Sequence, residues 1–240
     1  MTNAPASQNI EGWTLPAMLQ ARSARSPDEV ALWQVSVAGD WVATSWRDYN
    51  KAVAALAASF KRLGLKRGDR VGIMAATCKE WDFVQLGVLA AGGVAVGLDP
   101  YAIDEHTRDI ALRCDFAGVV AGNLSMLEKV GDQVRQKLRF LVSIEQSTKP
   151  EIHSFSSLLE NTNVSGDWNL SQPDDPATII FTSGTTGAPK GIEYSHRQMC
   201  LAAYSILSAF PEIGEGSRLA CWLPLSNLFQ RMINLCGIGC

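Results

Sequence analysis

Hydrophobic residues recur along this chain with two periods that alternate. Tyr49, Val53, Leu56, Ala57, Phe60 and Leu63 fall three and four apart, the spacing that lays one apolar stripe along a helix. Ser45 precedes that helix as an N-cap with Asp48 three residues on, a weak capping box, and Gly64 closes it. Earlier, Thr14 caps a helix that Pro27 stops at about residue 26. Two strands, over 30–35 and 41–44, join across Ala38, Gly39 and Asp40.

From residue 70 the two periods interleave. Strands are predicted over 70–75, 94–98, 118–121 and 139–144. Between them lie helices over 79–91 and 104–114 and a helical region from Asn123 to 138, with Asp104 and Asn123 reading as caps. Several strands are apolar on both faces, as a sheet covered by helices on both sides requires. The fold class is therefore α/β, with parallel-rich sheets. A short helix over 155–160 follows, then a polar connector over 161–175. A strand, a loop and a second strand occupy 178–194. A helix over 197–209, a strand over 219–223 and a last helix from about Asn227 complete the pattern. This divides the chain into a first α/β subdomain, 1–165, and the start of a second, 166–240. The seven tryptophans fall mostly at strand or helix positions and read as core. The chain stops inside an apolar run with no cap or charged tail, which reads as a truncation.

Composition narrows the picture. Of 240 residues 47% are hydrophobic and 19% charged, and the net charge of −3 gives no global attraction to nucleic acid. Six cysteines are too sparse for a disulfide framework, and only Cys236 and Cys240 are close. The three histidines suggest no metal cluster. The N-terminus has neither the basic start nor the apolar stretch of a signal peptide, and the longest apolar run, 87–98, is too short to span a bilayer. A cytoplasmic protein without a transmembrane segment is the reading, with peripheral membrane contact left open.

The chemistry concentrates in residues 182–191, TSGTTGAPKG. Four hydroxyls (Thr182, Ser183, Thr185, Thr186), three glycines (Gly184, Gly187, Gly191) and Lys190 stand between two strand-like runs. Hydroxyls and glycine-freed backbone amides are donors that a polyphosphate can use. The kinase-type phosphate loop does not fit: Gly191 follows the lysine, and a strand continues where a helix is needed. The dinucleotide fingerprint fails too, lacking its third glycine.

TSGTTGAPKG, preceded by DDPATIIF and followed by IEYSH, resembles the signature loop of the adenylate-forming (AMP-dependent synthetase/ligase) superfamily. Residues 41–100 are similar to that family's first subdomain. LPLSNLFQRM, residues 223–232, resembles the block that follows the loop in long-chain fatty acyl-CoA synthetases. The resemblance implies activation of a fatty acid by ATP and Mg²⁺ to an acyl-adenylate, then transfer to coenzyme A. It implies that Thr182, Ser183, Gly184, Thr185, Thr186, Gly187 and Lys190 hold the β- and γ-phosphates, with Lys190 catalytic, and that Asn227 lies beside the substrate carboxylate. Asn227 stands where much of the family has a histidine or an aromatic residue. The later motifs for adenine, ribose, metal and hinge have no counterpart in these 240 residues, so the chain alone is expected to be inactive. A non-catalytic nucleotide-binding or interaction protein derived from the same family is the alternative. His196 reads as a polar helix start, and Asp174 and Asp175 as cap or loop residues.

Overall fold

A computed structural model describes residues 12–36, 38–160, 168–182 and 189–240. Helix α1 (Leu15–Arg25) is capped by Thr14, whose side chain accepts from the Ala17 amide. Strands β1 (Val30–Val35) and β2 (Trp41–Ser45) form an antiparallel pair of their own. Helix α2 (Trp46–Arg62) starts at Ser45, whose Oγ accepts from the Asp48 amide at 3.1 Å and donates to the Asp48 carboxylate at 2.7 Å. Its predicted stripe is buried from Tyr49 to Phe60, and Leu63 is partly buried at the C-cap.

The main sheet is built from β3 (Arg70–Met74), β4 (Val94–Gly97), β5 (Gly118–Ala121), β6 (Phe140–Ser143), β7 (His153–Ser154), β8 (Pro176–Thr182) and β9 (Lys190–Ser195). Its order is β7-β6-β5-β3-β4-β8-β9; every neighbouring pair is parallel except β8 and β9. Strand side chains alternate between two cores, as the period of two demands. Val71, Ile73, Ala95, Val120 and Val142 face one core; Met74, Val96, Val119, Ala121 and Leu141 face the other. Helices α1, α2, α3 (Lys79–Ala90), α7 (Phe155–Leu159), α8 (His196–Ala209) and α9 (Leu228–Gly239) contribute to the first. Helices α4 (Asp104–Cys114), α5 (Leu124–Lys129) and α6 (Asp132–Arg135) contribute to the second. This is the α/β architecture that the alternating periods predict. The strands on either side of the 165/166 division belong to one sheet, with β8 laid beside β4.

Four local expectations are corrected. Residues 219–223 form no strand and join no sheet; a side chain, Gln230, serves the backbone of Ala220, Trp222 and Leu223 instead. Asp104 does not cap α4. It is the first helical residue, and it pairs with Arg108 one turn on. The helical region from Asn123 is two helices, because Gly131 turns to φ 84° between them. Nor are the tryptophans uniformly core: Trp46, Trp81 and Trp168 are buried, whereas Trp33, Trp41 and Trp222 are 49%, 67% and 75% exposed.

Candidate functional site

The sheet order creates a crevice that strand prediction cannot foresee. The chain leaves β3 into α3 on one face of the sheet and leaves β4 into α4 on the other. Adjacent parallel strands whose connections part in this way open a cleft at their carboxyl ends, the usual ligand position in open α/β sheets. Residues 223–227 sit over that cleft. The Thr77 hydroxyl, just past β3, donates to the Leu223 carbonyl at 2.9 Å. At the end of β4, Gly97 lies so close to the turn that an added Cβ would stand 2.8 Å from the Ser226 Cα. Only glycine lets the turn come down there.

The loop opens at the same end. Strand β8 runs parallel to β4, so its last residue, Thr182, reaches the carboxyl edge, and β9 returns antiparallel from Lys190. Thr182 and Lys190 face each other in register at the ends of the two strands. Of the site residues read from the sequence, Lys190 and Asn227 are described in full, and Thr182 by its backbone. Ser183, Gly184, Thr185, Thr186 and Gly187 lie outside the described residues. Lys190 is exposed and makes no ion pair among the described residues. Asn227 is the exposed N-cap of α9, and its side chain makes no capping hydrogen bond. Both polar groups are thus open to a ligand. Among the described residues no group of three His, Cys, Asp or Glu side chains could hold a metal ion.

Residues flanking the hairpin have structural duties. Asp174 takes a bidentate grip from Arg197, at 2.8 and 2.9 Å, and that contact holds its carboxyl below the usual range. Asp175 pairs with Arg67 at 2.6 Å and accepts from the Gln172 amide. His196 is more than a polar helix start. It is 1% exposed, and its Nδ1 accepts the Leu15 amide at 3.2 Å, satisfying a donor at the start of α1. Burial pulls its pKa down to about 4, against a smaller upward pull from Asp175.

Beneath the cleft lies a buried polar cluster that the sequence reading missed. Arg231, in the first turn of α9, is 1% exposed, and its Nη1 donates to Thr178 Oγ1 at 2.7 Å and Gln85 Oε1 at 3.3 Å. Its guanidinium stands 5.2 Å from the Trp81 ring. Asn234, one turn on, donates to Asp82 at 2.7 Å, and Gln230 donates to Asn234 at 3.0 Å. Burial raises Asp82 to about 7 and lowers Arg231 to about 10, outweighing their mutual attraction. The signal was available: Gln230, Arg231 and Asn234 recur at helical spacing inside an otherwise apolar helix. An open depression of about 560 Å³ between α4 and α6 lies away from this end of the sheet. Its Arg108, Arg135 and Glu128 are already ion-paired.

The chain is similar to known proteins. The chain is 29% identical to the long-chain-fatty-acid–CoA ligase ACSBG2 of Xenopus laevis, over 92% of this chain and 32% of that protein. It is 26% identical to the long-chain-fatty-acid–CoA ligase FadD15 of Mycobacterium bovis, over 91% and 37%. The chain thus spans about a third of the length of these relatives. The acetoacetyl-CoA synthetase of Streptomyces lividans superposes with a TM-score of 0.83 at 19% identity, over 95% of this chain and 37% of that one. The AMPPNP-bound nonribosomal peptide synthetase FmoA3 superposes at 0.74 and 19%, over 100% and 23%. These likenesses identify the fold as that of adenylate-forming enzymes. The family described as AMP-binding enzyme matches residues 19–240, and the chain belongs to that family.

Proposed function

We propose that this chain supplies the phosphate-binding, N-terminal part of an AMP-forming acyl-CoA ligase that activates a long-chain fatty acid with ATP and passes it to coenzyme A. One observation supports the reading. The two strands that flank the hydroxyl- and glycine-rich stretch pair antiparallel, and β8 ends at the carboxyl end of the parallel sheet beside β4, one of the two strands that open the cleft. The long-chain substrate in this reading is supported by the long-chain-fatty-acid–CoA ligase relatives and by the resemblance of residues 223–232. The remaining parts of the reaction belong to the whole protein that carries these 240 residues.

In the proposed reaction a carboxylate oxygen attacks the α-phosphorus of ATP, the bond to the β-phosphate bridging oxygen breaks, and pyrophosphate leaves with the electron pair. Charge grows on the leaving group, so cations and donors aimed there lower the barrier more than they tighten ground-state binding. Two observations support this role for Lys190. Its backbone is fixed opposite Thr182, its ammonium is unclaimed by any carboxylate among the described residues, and Ser183, Gly184, Thr185, Thr186 and Gly187 complete the proposed cradle. Mg²⁺ bound together with ATP would offset charge on the departing pyrophosphate; among the described residues no cluster of three carboxylate, histidine or cysteine side chains would hold it. Asn227, at the turn over the cleft, donates to the substrate carboxylate. It cannot change charge near neutral pH, so no step in this reading depends on its titration.

Lys190→Ala in the whole protein tests this. ATP–pyrophosphate exchange should fall by roughly a hundredfold, while MgATP affinity falls far less. Undiminished exchange removes Lys190 from the reaction. A wild type that binds nucleotide without exchanging pyrophosphate favours a non-catalytic nucleotide-binding role.

A further inference from the structure

The buried cluster under α9 has no part in the chemistry above, and its energetics are odd for a purely stabilising feature. Arg231 Nε and Nη2 are buried without partners among the described residues. No carboxylate lies within ion-pair distance of Arg231 among the described residues, and Asp82 is engaged by Asn234 instead. A buried guanidinium with idle donors is costly, and an apolar side chain of similar volume often serves stability as well or better. The arrangement is better explained by what Arg231 holds in place.

We infer that Arg231 is a positioning residue, fixing strand β8 along its length relative to the first turn of α9 and so setting the loop-bearing hairpin against Asn227. Strand β8 is weakly registered by its backbone on the inner side, where it pairs with β4 only at Ala95↔Thr178 and Val96↔Ile179. On its outer side the pairing with β9 shifts between Pro176 and Thr178. Thr178 occupies both places. Its hydroxyl donates to the Ala95 carbonyl at 2.6 Å while accepting from Arg231 at 2.7 Å, so one side chain ties β4, β8 and α9 together. Gln85 adds α3 to the knot. On the adjacent helix position, Gln230 accepts from the Trp222 and Leu223 amides and donates to the Ala220 carbonyl, which fixes the segment entering the turn. Asn227 lies four residues before Arg231. A slip of β8 by one residue would therefore move the hairpin about 3.3 Å relative to Asn227, enough to break any shared contact with one ligand.

The functional half of this inference rests on the nucleotide reading; the positioning half does not. Three measurements on Arg231→Met, Thr178→Val and Arg231→Lys separate them: melting temperature, amide hydrogen exchange resolved by segment, and MgATP affinity. Arg231→Met should melt at or above the wild-type temperature, yet exchange at 178–182 about tenfold faster with β3 and β5 unchanged, and bind MgATP about tenfold more weakly. Thr178→Val should act in the same direction, and the two changes together should cost less than the sum of the two alone, because both break the Arg231–Thr178 contact. Arg231→Lys, which keeps a donor toward Thr178, should restore most of the protection. If Arg231→Met does not fold, Thr178→Val carries the comparison. Unchanged exchange at 178–182, or a loss of protection spread evenly over the sheet with a lower melting temperature, overturns the positioning role. Faster exchange with unchanged MgATP affinity overturns its functional half, and a wild type that binds no MgATP overturns the nucleotide reading alone.

Discussion

Single residues in this molecule carry opposing pH dependences. The folded state holds His196 at about 4 against its ordinary 6.5 because burial favours the neutral ring. The stability it contributes is complete above pH 6.5 and is lost as the pH falls toward 4. A gap of that size corresponds to roughly 3 kcal/mol. Asp82 runs the other way: its folded pKa is raised to about 7, so its contribution is present below the ordinary carboxylate range and lost as the pH rises through 7. A wild-type profile mixes the two, and a paired comparison separates them. Asparagine at 196 can offer an acceptor to the Leu15 amide and has no proton to gain. The stability of His196→Asn relative to wild type should therefore improve by roughly 3 kcal/mol between pH 7 and pH 4, read from urea unfolding. A constant difference would mean that the ring is not held neutral by the fold.

Elements were legible wherever one period ran long enough. The stripe from Tyr49 to Phe60, the Ser45 cap and the two-sided apolar strands were readable because local spacing and burial coincide. Residues 219–223 were misread because an apolar run cannot say whether a second edge is near, and here Gln230 takes the place of a neighbouring strand. The site was half legible. Lys190 stands out by motif, but the juxtaposition of Thr77, Gly97 and Ser226 depends on the order in which strands enter the sheet, which no spacing encodes. The close approach at Gly97 gives a direct check. Gly97→Ala forces the Ser226 backbone away from β4 and should cost about 1–3 kcal/mol in urea unfolding, with weaker nucleotide binding. A neutral result would show that the turn floats above the strand.

At the scale of the whole molecule, β8 and β9 extend the same sheet as β3 to β6, and α8 and α9 share a core with α1 and α2. That continuity predicts a single unfolding transition, with tryptophan fluorescence and far-ultraviolet circular dichroism coinciding along a urea series. Two separated transitions would support a domain division near residue 165. No helix among the described residues is long and apolar enough to cross a membrane. The pairing of Thr182 with Lys190 has a wider consequence. Because the ladder closes the chain below the tip, lengthening the tip adds only a slowly growing entropic cost, about 0.6 kcal/mol per doubling. Chain inserted between Thr182 and Lys190 should therefore shift the melting temperature little, because the paired strand ends on either side keep their ladder.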